Sequence, residues 1–449
     1  MSRKMKDSGI EWICDIPEHW KVSRFKLMFN LKRGLPITKE NLIESGVPVV
    51  SYGQIHSKVN TGTYISKELI RFVSEEYIQT NPEALAQKGD FLFADTSEDL
   101  EGTGNFAYMS EADKIFAGYH TIIASPFTVM ETKYFAYLFK TDCWRSQIRS
   151  RVSGIKLFSI TQKILNTLTI ILPDEQEQIS IANYLDFRCT LIDQTIEKQK
   201  QVIEKLREYK QSVITEAVTK GLNLNVPMKD SGIEWIGEIP EHWKLIPFKH
   251  ILHERNEKNN PIQTDERLSL SIDKGVTLYA EKTTNLDRYK DDVSQYKLAH
   301  IGDFVLNSMN MIVGSVGISD YFGCVSPAYY TYYDNEESHV TAKFCDFLFK
   351  SKTIKKVLFS LGKGIMAIDR GDDKINTCRL KVSRDDLRSL KLPLPNTTEQ
   401  ARIIRFLEEK CSEIDAAISV KQTVVDKLNE YKKSLIYECV TGKREVNNV

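Results

Sequence analysis

The chain has 449 residues, of which 41% are hydrophobic and 27% are charged, a composition typical of globular proteins with more than one domain. Its 61 basic and 61 acidic residues cancel, so net charge does not decide whether nucleic acid is a partner. No apolar run of about 18 residues and no secretory signal is found, which predicts a cytoplasmic protein without a membrane partner. The eight cysteines are widely spaced without a CxxC pair, which disfavours a zinc site and a disulfide framework.

The first element of the chain is a short segment that occurs twice. "DSGIEWICDIPEHW" begins at Asp7, and "DSGIEWIGEIPEHW" begins at Asp230. Between Met5 and Lys21, 15 of 17 positions are identical to the later copy. Chance does not produce such self-similarity, so the sequence predicts an internal duplication. We call the two copies, at 1–21 and 222–244, the lock segments.

Each lock segment is followed by about 150 residues that differ between the two halves. Both stretches combine short β-like runs, such as "VPVVSY", "GDFLFAD" and "GDFVLNS", with turn residues and short helical pieces. This pattern predicts a compact mixed α/β domain in each half, and an α+β fold class for the chain. We call these stretches, at 22–172 and 245–394, the first and second variable domains.

Two long helical segments, at 173–221 and 395–449, follow the variable domains. The motifs "LPDEQEQ" and "LPNTTEQ" introduce them, and Asp174 with Glu177, and Thr397 with Gln400, have the spacing of capping boxes. Apolar residues then recur at alternating steps of four and three, as in the seam of a coiled coil. The predicted seam positions are Leu185, Ile192, Ile196, Ile203 and Leu206 in the first helix, and Leu407, Ile414, Ile418, Val425 and Leu428 in the second.

Such a seam can pack against its own domain or against the other helix. The polar interruptions fall at equivalent places in both helices, which favours pairing of the two. A helix of roughly 45 residues is about 65–70 Å long. We therefore expect a long antiparallel two-helix coiled coil that separates the variable domains, with internal pseudo-two-fold symmetry. Each lock segment would fix a helix end to the base of a domain, with the four repeated tryptophans as buried anchors: Trp12, Trp20, Trp235 and Trp243.

Catalytic and metal-binding motifs are missing from the sequence. There is no GxxxxGK[ST], HExxH or GxSxG pattern, so we predict no catalytic residue and no metal ligand in this chain. Two unlike domains held at a fixed separation instead suit the recognition of two half-sites on one DNA duplex, which repeats about every 34–36 Å.

The repeated "DSGIEWIGEIPEHW", the "LPxxxEQ" motif before each long helix and the alternation with two unlike domains resemble the specificity subunit of Type I restriction-modification systems. The resemblance covers essentially the whole chain, and Gly237-Glu238 in place of Cys14-Asp15 is a minor difference between the two lock segments. It implies that the variable domains are target recognition domains, each of which reads one half of a bipartite asymmetric DNA sequence.

The resemblance also implies the partners. The helices would act as a spacer and as a docking surface for two modification subunits, which methylate adenine at N6, and restriction/translocase subunits would join them. S-adenosylmethionine, Mg and ATP would be held by these partners, with no cofactor in this chain. Two alternatives remain open: a stand-alone sequence-specific DNA-binding regulator, and a coiled-coil scaffold that binds only proteins.

Base reading in the major groove uses Arg or Lys for guanine and Asn or Gln for adenine, while other contacts hold phosphates. The alternatives are turn formation for the asparagines, a half-buried core ring for the tyrosine and solvated surface for the basic residues. The candidates are Tyr52, Gln54, Arg149, Arg151 and Lys156 in the first variable domain, and Lys274, Asn307, Asn310, Lys363 and Arg370 in the second.

Overall fold

The computed structural model describes residues 3–111, 114–128, 130–154, 157–223, 225–281, 292–335, 338–365 and 379–446. The chain divides into two compact units: a first unit of Met1–Gln199 with Thr423–Val449, and a second unit of Lys200–Gln422. Each unit mixes strands and helices, which confirms the predicted α+β class. Among the described residues, every helix is too short or too polar to span a lipid bilayer.

The elements that begin in the first unit are short apart from one helix. The strands are β1 (Met5–Asp7), β2 (Asp15–Pro17), β3 (Lys21–Arg24), β4 (Phe29–Arg33), β5 (Val47–Val50), β6 (Arg71–Val73), β7 (Leu85–Ala86), β8 (Phe91–Ala94), β9 (Thr96–Ser97), β10 (Phe106–Tyr108), β11 (Ile115–Ala117), β12 (Thr121–Pro126), β13 (Phe158–Ser159) and β14 (Thr169–Leu172). The helices are α1 (Tyr52–Ile55), α2 (Tyr77–Thr80), α3 (Thr132–Lys140), α4 (Asp142–Arg149), α5 (Gln162–Thr167) and α6 (Glu175–Lys220).

Two four-stranded sheets, ordered β10-β8-β12-β4 and β6-β5-β11-β7, form the first variable domain. Strand β8 is buried on both faces, which explains its continuous apolar sequence "FLFA". Phe91 and Phe93 pack with Phe139 of α3 and Trp144 of α4, whose rings lie 4.2 Å apart. Leu92 points to a second apolar cluster on the opposite face. An aromatic core therefore holds the sheet against α3 and α4.

The second unit contains the remaining elements. Its strands are β15 (Met228–Asp230), β16 (Glu238–Pro240), β17 (Lys244–Pro247), β18 (His253–Arg255), β19 (Leu268–Ser271), β20 (Gly275–Leu278), β21 (Lys297–Ala299), β22 (Phe304–Asn307), β23 (Val316–Ile318), β24 (Gly323–Val325), β25 (Tyr329–Tyr333), β26 (Lys363–Ile365), β27 (Arg379–Lys381) and β28 (Lys391–Leu394). Its helices are α7 (Val340–Lys350), α8 (Lys352–Leu361), α9 (Arg384–Ser389) and α10 (Thr397–Val440).

The second variable domain repeats the plan of the first with different strands. Its main sheet has the order β18-β25-β22-β23, and Phe304 and Leu306 of β22 face α7 and α8. At the base of each domain the first and last strands pair antiparallel, β3 with β14 and β17 with β28. Each variable domain therefore begins and ends at the same place, beside a lock segment and the start of a long helix.

The long helices α6 and α10 pack antiparallel within each unit. In the first unit Tyr184 contacts Arg444, and Asp193 pairs with Lys432 at 2.6 Å, so one helix ascends in number while the other descends. In the second unit Lys210 pairs with Asp415 at 2.6 Å. Asp415 lies 222 residues after Asp193, and Lys432 lies 222 after Lys210, so the two ion pairs are one contact with the helices exchanged.

The heptad pattern describes this packing well. Seven of the ten predicted seam residues are buried, and Leu206, Ile418 and Leu428 are half-buried. The predicted antiparallel coiled coil is confirmed in each unit. One predicted helix cap is wrong: Asn396, not Thr397, accepts from the backbone N–H of Glu399 at 2.9 Å, because Thr397 is already the first helical residue.

Glu177 anchors the first lock segment to the start of α6. Its carboxylate accepts from the indole N–H of the buried Trp20 at 2.7 Å, and His19 Nε2 lies 2.9 Å from the same oxygen. Arg3 pairs with the other carboxylate oxygen. His19, Glu177 and Asp174 also have the mutual spacing of metal ligands. Because the Glu177 carboxylate is already engaged by its three donors, we interpret this cluster as a structural anchor.

The second unit contains the same anchor. Glu399 accepts from the Trp243 indole N–H at 3.2 Å, and His242 Nε2 lies 2.8 Å from the other oxygen. Trp20 and Trp243 are fully buried and Trp235 is half-buried, as expected for anchors. Trp12 is 37% exposed, so its prediction is wrong. Its neighbours in the tight turn before β2, chiefly Ile13, point inward, which directs Trp12 outward.

The C-terminal ends of the long helices meet the same anchors. Gly442 follows α10 with φ +71°, and a Cβ there would lie 2.4 Å from Pro17. Gly221 follows α6 with φ +76°, and a Cβ there would lie 3.4 Å from Trp243. Glycine both permits the left-handed turn that ends the helix and leaves room for the lock segment. Each lock segment therefore contacts one helix start and one helix end.

We expect Trp20→Phe to lower the free energy of unfolding by roughly 1.5–3 kcal/mol, because the ring stays buried while Glu177 loses its indole donor. Trp12→Phe is the matched control and should change it by less than about 0.5 kcal/mol, since Trp12 is exposed. Urea denaturation followed by circular dichroism measures both values. Equal losses in the two variants would contradict the role of the anchor.

Lys140 at the end of α3 predicts a pH dependence of stability. Burial, together with the nearby Lys432 ammonium, lowers the pKa of Lys140 to about 8. An unfolded lysine keeps its proton up to about pH 10.4. Above pH 8 the unfolded chain therefore binds more protons at this residue than the folded chain, so its contribution to stability rises with pH.

Lys140→Met removes this titration. The variant should exceed the wild-type protein most in free energy of unfolding at pH 7, and the difference should shrink between pH 8 and about 9.5. Urea denaturation at several pH values tests this. A difference that is constant with pH would show that Lys140 titrates as an ordinary exposed lysine.

Candidate nucleic-acid interface

The predicted candidates of the first variable domain lie in two places. Tyr52 and Gln54 are in the short helix α1, where the Gln54 side-chain oxygen accepts from the Ser51 N–H at 3.1 Å. Arg149 at the end of α4 pairs with Asp142 at 3.0 Å. Arg151, just beyond α4, donates to the Gln147 carbonyl at 2.6 Å. These two arginines are therefore engaged within the domain, and Lys156 lies outside the described residues.

The candidates of the second variable domain are separate from one another. Lys274 is exposed in the turn between β19 and β20, and Asn310 is exposed before a short 3-10 turn. Asn307 is buried, and its side-chain oxygen accepts from the Met309 N–H at 3.1 Å, which is the turn-forming alternative. Lys363 is exposed and pairs with Asp386 at 3.0 Å. Arg370 lies outside the described residues, and the DNA contacts of all ten candidates stay predictions.

Three neighbouring clefts mark the surface of the first variable domain. An aromatic cleft of about 710 Å³ is lined by Tyr52, His56, Glu98, Asp99, Glu101 and His120. A middle cleft of about 560 Å³ is lined by Arg33, Asp95, His120 and Lys163. A basic cleft of about 630 Å³ is lined by Arg24, Lys26, Gln162, Lys163 and Asn166. Since His120 and Lys163 are shared walls, the three clefts form one continuous groove.

Aromatic rings surround the junction at His120. The His120 ring centroid lies 5.4 Å from that of Tyr52, and Tyr52 lies 5.5 Å from Tyr119. His120 Nδ1 is 3.1 Å from Asp95 Oδ1. Its backbone has φ +55°, a left-handed conformation that is uncommon for residues other than glycine. The ring of His120 is therefore held at a fixed place between two clefts while remaining largely exposed.

Arg145 reaches the wall of the aromatic cleft but is structurally engaged. Its guanidinium donates to the Glu101 carbonyl at 2.6 Å and to the Asn105 side-chain oxygen at 2.7 Å. Burial, and next the charge of Arg149, lowers the pKa of Arg145 to about 10. It therefore shapes the loop that carries Glu101 and offers few donors to a ligand.

The sequence alone did not indicate this groove. Its basic side chains are far apart in the chain, and no local run of charge or amide residues marks them. His120 stands in "AGYHT", where nothing in the sequence announces a left-handed histidine. Of the candidates predicted from sequence, only Tyr52 lines the groove. The groove residues that were missed are Arg24, Lys26, Arg33, His120 and Lys163.

Comparison with known proteins identifies the family. A family model described as the Type I restriction modification DNA specificity domain matches residues 17–207. The Type I restriction enzyme MjaVIII specificity subunit of Methanocaldococcus jannaschii is 25% identical over 406 residues, covering 86% of this chain and 87% of the relative. The EcoKI specificity subunit of Escherichia coli is 20% identical, covering 95% and 90%.

Solved structures show the same fold. A chain from a type I R-M system assembly superposes with a TM-score of 0.65 at 14% identity, covering 96% of this chain and 99% of the other. The HsdS subunit from Thermoanaerobacter tengcongensis gives a TM-score of 0.50, also at 14% identity, with 96% and 98% covered. With the duplicated anchors and the two unlike domains, these likenesses show that the chain belongs to the family of Type I restriction-modification specificity subunits.

Proposed function

We propose that this chain directs a Type I restriction-modification complex to a bipartite asymmetric DNA sequence, each variable domain reading one half. One observation carries the proposal: the same Glu–His–Trp anchor joins an unlike domain to the helix pair in each unit. A frame that is repeated while its domains differ suits a target whose two halves differ. The paired helices then serve as the spacer and as the docking surface for modification subunits.

The reaction itself belongs to the partners in this proposal. The chain contributes recognition and no catalytic group, while modification subunits hold S-adenosylmethionine and transfer a methyl group to adenine N6. Restriction subunits use ATP and Mg. The chain would work in the cytoplasm, on double-stranded DNA. A stand-alone regulator gains no support, because the relatives that cover most of the chain are specificity subunits of restriction enzymes.

Exposed residues on the long helices support two copies of one partner. Val202 and Tyr209 of α6 are 38% and 50% exposed in the second unit. Val424 and Tyr431 of α10, each 222 residues later in the sequence, are 36% and 39% exposed in the first unit. Apolar side chains exposed at equivalent positions are typical of interaction surfaces. Equivalent surfaces in the two units favour two modification subunits.

The proposal predicts the methylation pattern of the host. With the gene intact, N6-methyladenine should occupy one bipartite asymmetric motif, and deletion of the gene should remove it. Long-read sequencing of both strains measures this, and restoring the gene on a plasmid is the control. If co-expression of this chain with its neighbouring methyltransferase genes leaves methylation unchanged, the proposed function is wrong.

A further inference from the structure

We propose that the groove formed by the basic, middle and aromatic clefts is the path of DNA across the first variable domain. This inference rests on the proposed function and adds the site to it. The basic and middle clefts hold phosphates, and the aromatic cleft faces the base edges of the first half-site. The phosphate-binding side chains are Arg24, Lys26, Arg33 and Lys163.

The basic side chains of the groove are available to an anion. All four are exposed, and no carboxylate of the described residues forms an ion pair with any of them. By contrast, Arg145 and Arg149 are engaged by carbonyl and carboxylate oxygens of their own domain. Unpaired cations along one groove bind phosphates favourably, since each contact releases a condensed counterion from the duplex. The local pattern therefore favours a polyanion although the whole chain is neutral.

The aromatic cleft has the opposite charge and so a different task. Glu98, Asp99 and Glu101 line it, and carboxylates repel phosphates. Carboxylate oxygens do accept hydrogen bonds from the exocyclic amino groups that cytosine and adenine present in the major groove. The change of charge along the groove therefore separates backbone contacts from base contacts. We assign the aromatic cleft to a base pair that presents an amino group.

His120 lies where these two tasks meet. Its backbone carbonyl accepts from the Asp95 N–H at 3.0 Å, and Asp95 also contacts its ring, so the left-handed conformation is fixed from both sides. Its side chain remains 57% exposed, so burial does not explain the strained backbone. Strained residues that the surrounding structure holds in place occur preferentially at binding sites. The geometry points to the imidazole of His120, next to Tyr52, as a base-reading group.

The second variable domain treats the corresponding surface differently. Helix α9 lies 222 residues after α5, so Arg384 and Arg388 stand where the first domain has Gln162 and Asn166. Glu254 pairs with both arginines, at 3.0 and 3.9 Å. These cations are therefore neutralised within their own domain. The groove accordingly serves the first half-site specifically.

Phosphate binding is tested in the complex with its modification subunits. Lys26→Ala/Lys163→Ala should reduce the slope of log affinity against log salt concentration by about 2 on the target duplex, with the sequence preference unchanged. Lys39→Ala/Lys67→Ala is the matched control, because both lysines are exposed in the same domain outside the clefts, and its slope should equal that of the wild type.

Base reading is tested by His120→Gly, because glycine keeps the left-handed backbone and removes only the imidazole. Long-read methylation should show relaxed preference at one base pair of the first half-site and an unchanged second half-site. His339→Gly is the control, since His339 is a left-handed histidine of the second unit with φ +50°. It should leave the first half-site unchanged.

The outcomes separate this inference from the proposed function. If the wild-type complex methylates no bipartite motif, the proposed function is wrong and the groove assignment fails with it. If the wild-type motif is present but the lysine variant keeps the control's salt slope, the groove does not bind phosphates. If His120→Gly methylates the wild-type motif without relaxation, the aromatic cleft does not read bases.

Discussion

The hydrogen bond between an indole N–H and a glutamate carboxylate is the contact on which both units depend. A partly buried carboxylate is costly unless donors surround it, and the repeated His-Trp pair supplies them to Glu177 and to Glu399. The donors come from a lock segment and the acceptor from the first turn of a long helix. Because the contact lies outside the variable domain, the surface of that domain can change while the frame stays the same.

This separation of frame and surface explains what the sequence could predict. Repeats, heptads and the glycines after the helices are local patterns, so the lock segments, the long helices and their pairing followed from them. The choice of Asn396 as cap and the exposure of Trp12 depend on which way the chain turns at single residues. Nearby "LPxxxEQ" and "IPEHW" motifs recurring together were the available signal for the Glu–Trp contact.

The recognition surface was less predictable for a physical reason. Arg149 and Arg151 form a charge cluster in the sequence, but folding directs them to oxygens of their own domain. Arg33, His120 and Lys163 are far apart in the sequence, and only the β-sheet packing brings them to one groove. Side chains that bind an external partner must lack an internal one, and this property exists only in the folded domain. A neutral composition conceals it further, because acidic and basic regions of the groove cancel.

The two exchanged ion pairs, Asp193 with Lys432 and Lys210 with Asp415, carry a consequence for ancestry. A polypeptide of half this length would contain one such aspartate and one such lysine. Two copies meeting antiparallel would form both pairs at once, which is the definition of an isologous interface. The intramolecular coiled coil thus preserves the contacts of a homodimer, and fusion of two such genes allowed one DNA-reading surface to diverge from the other.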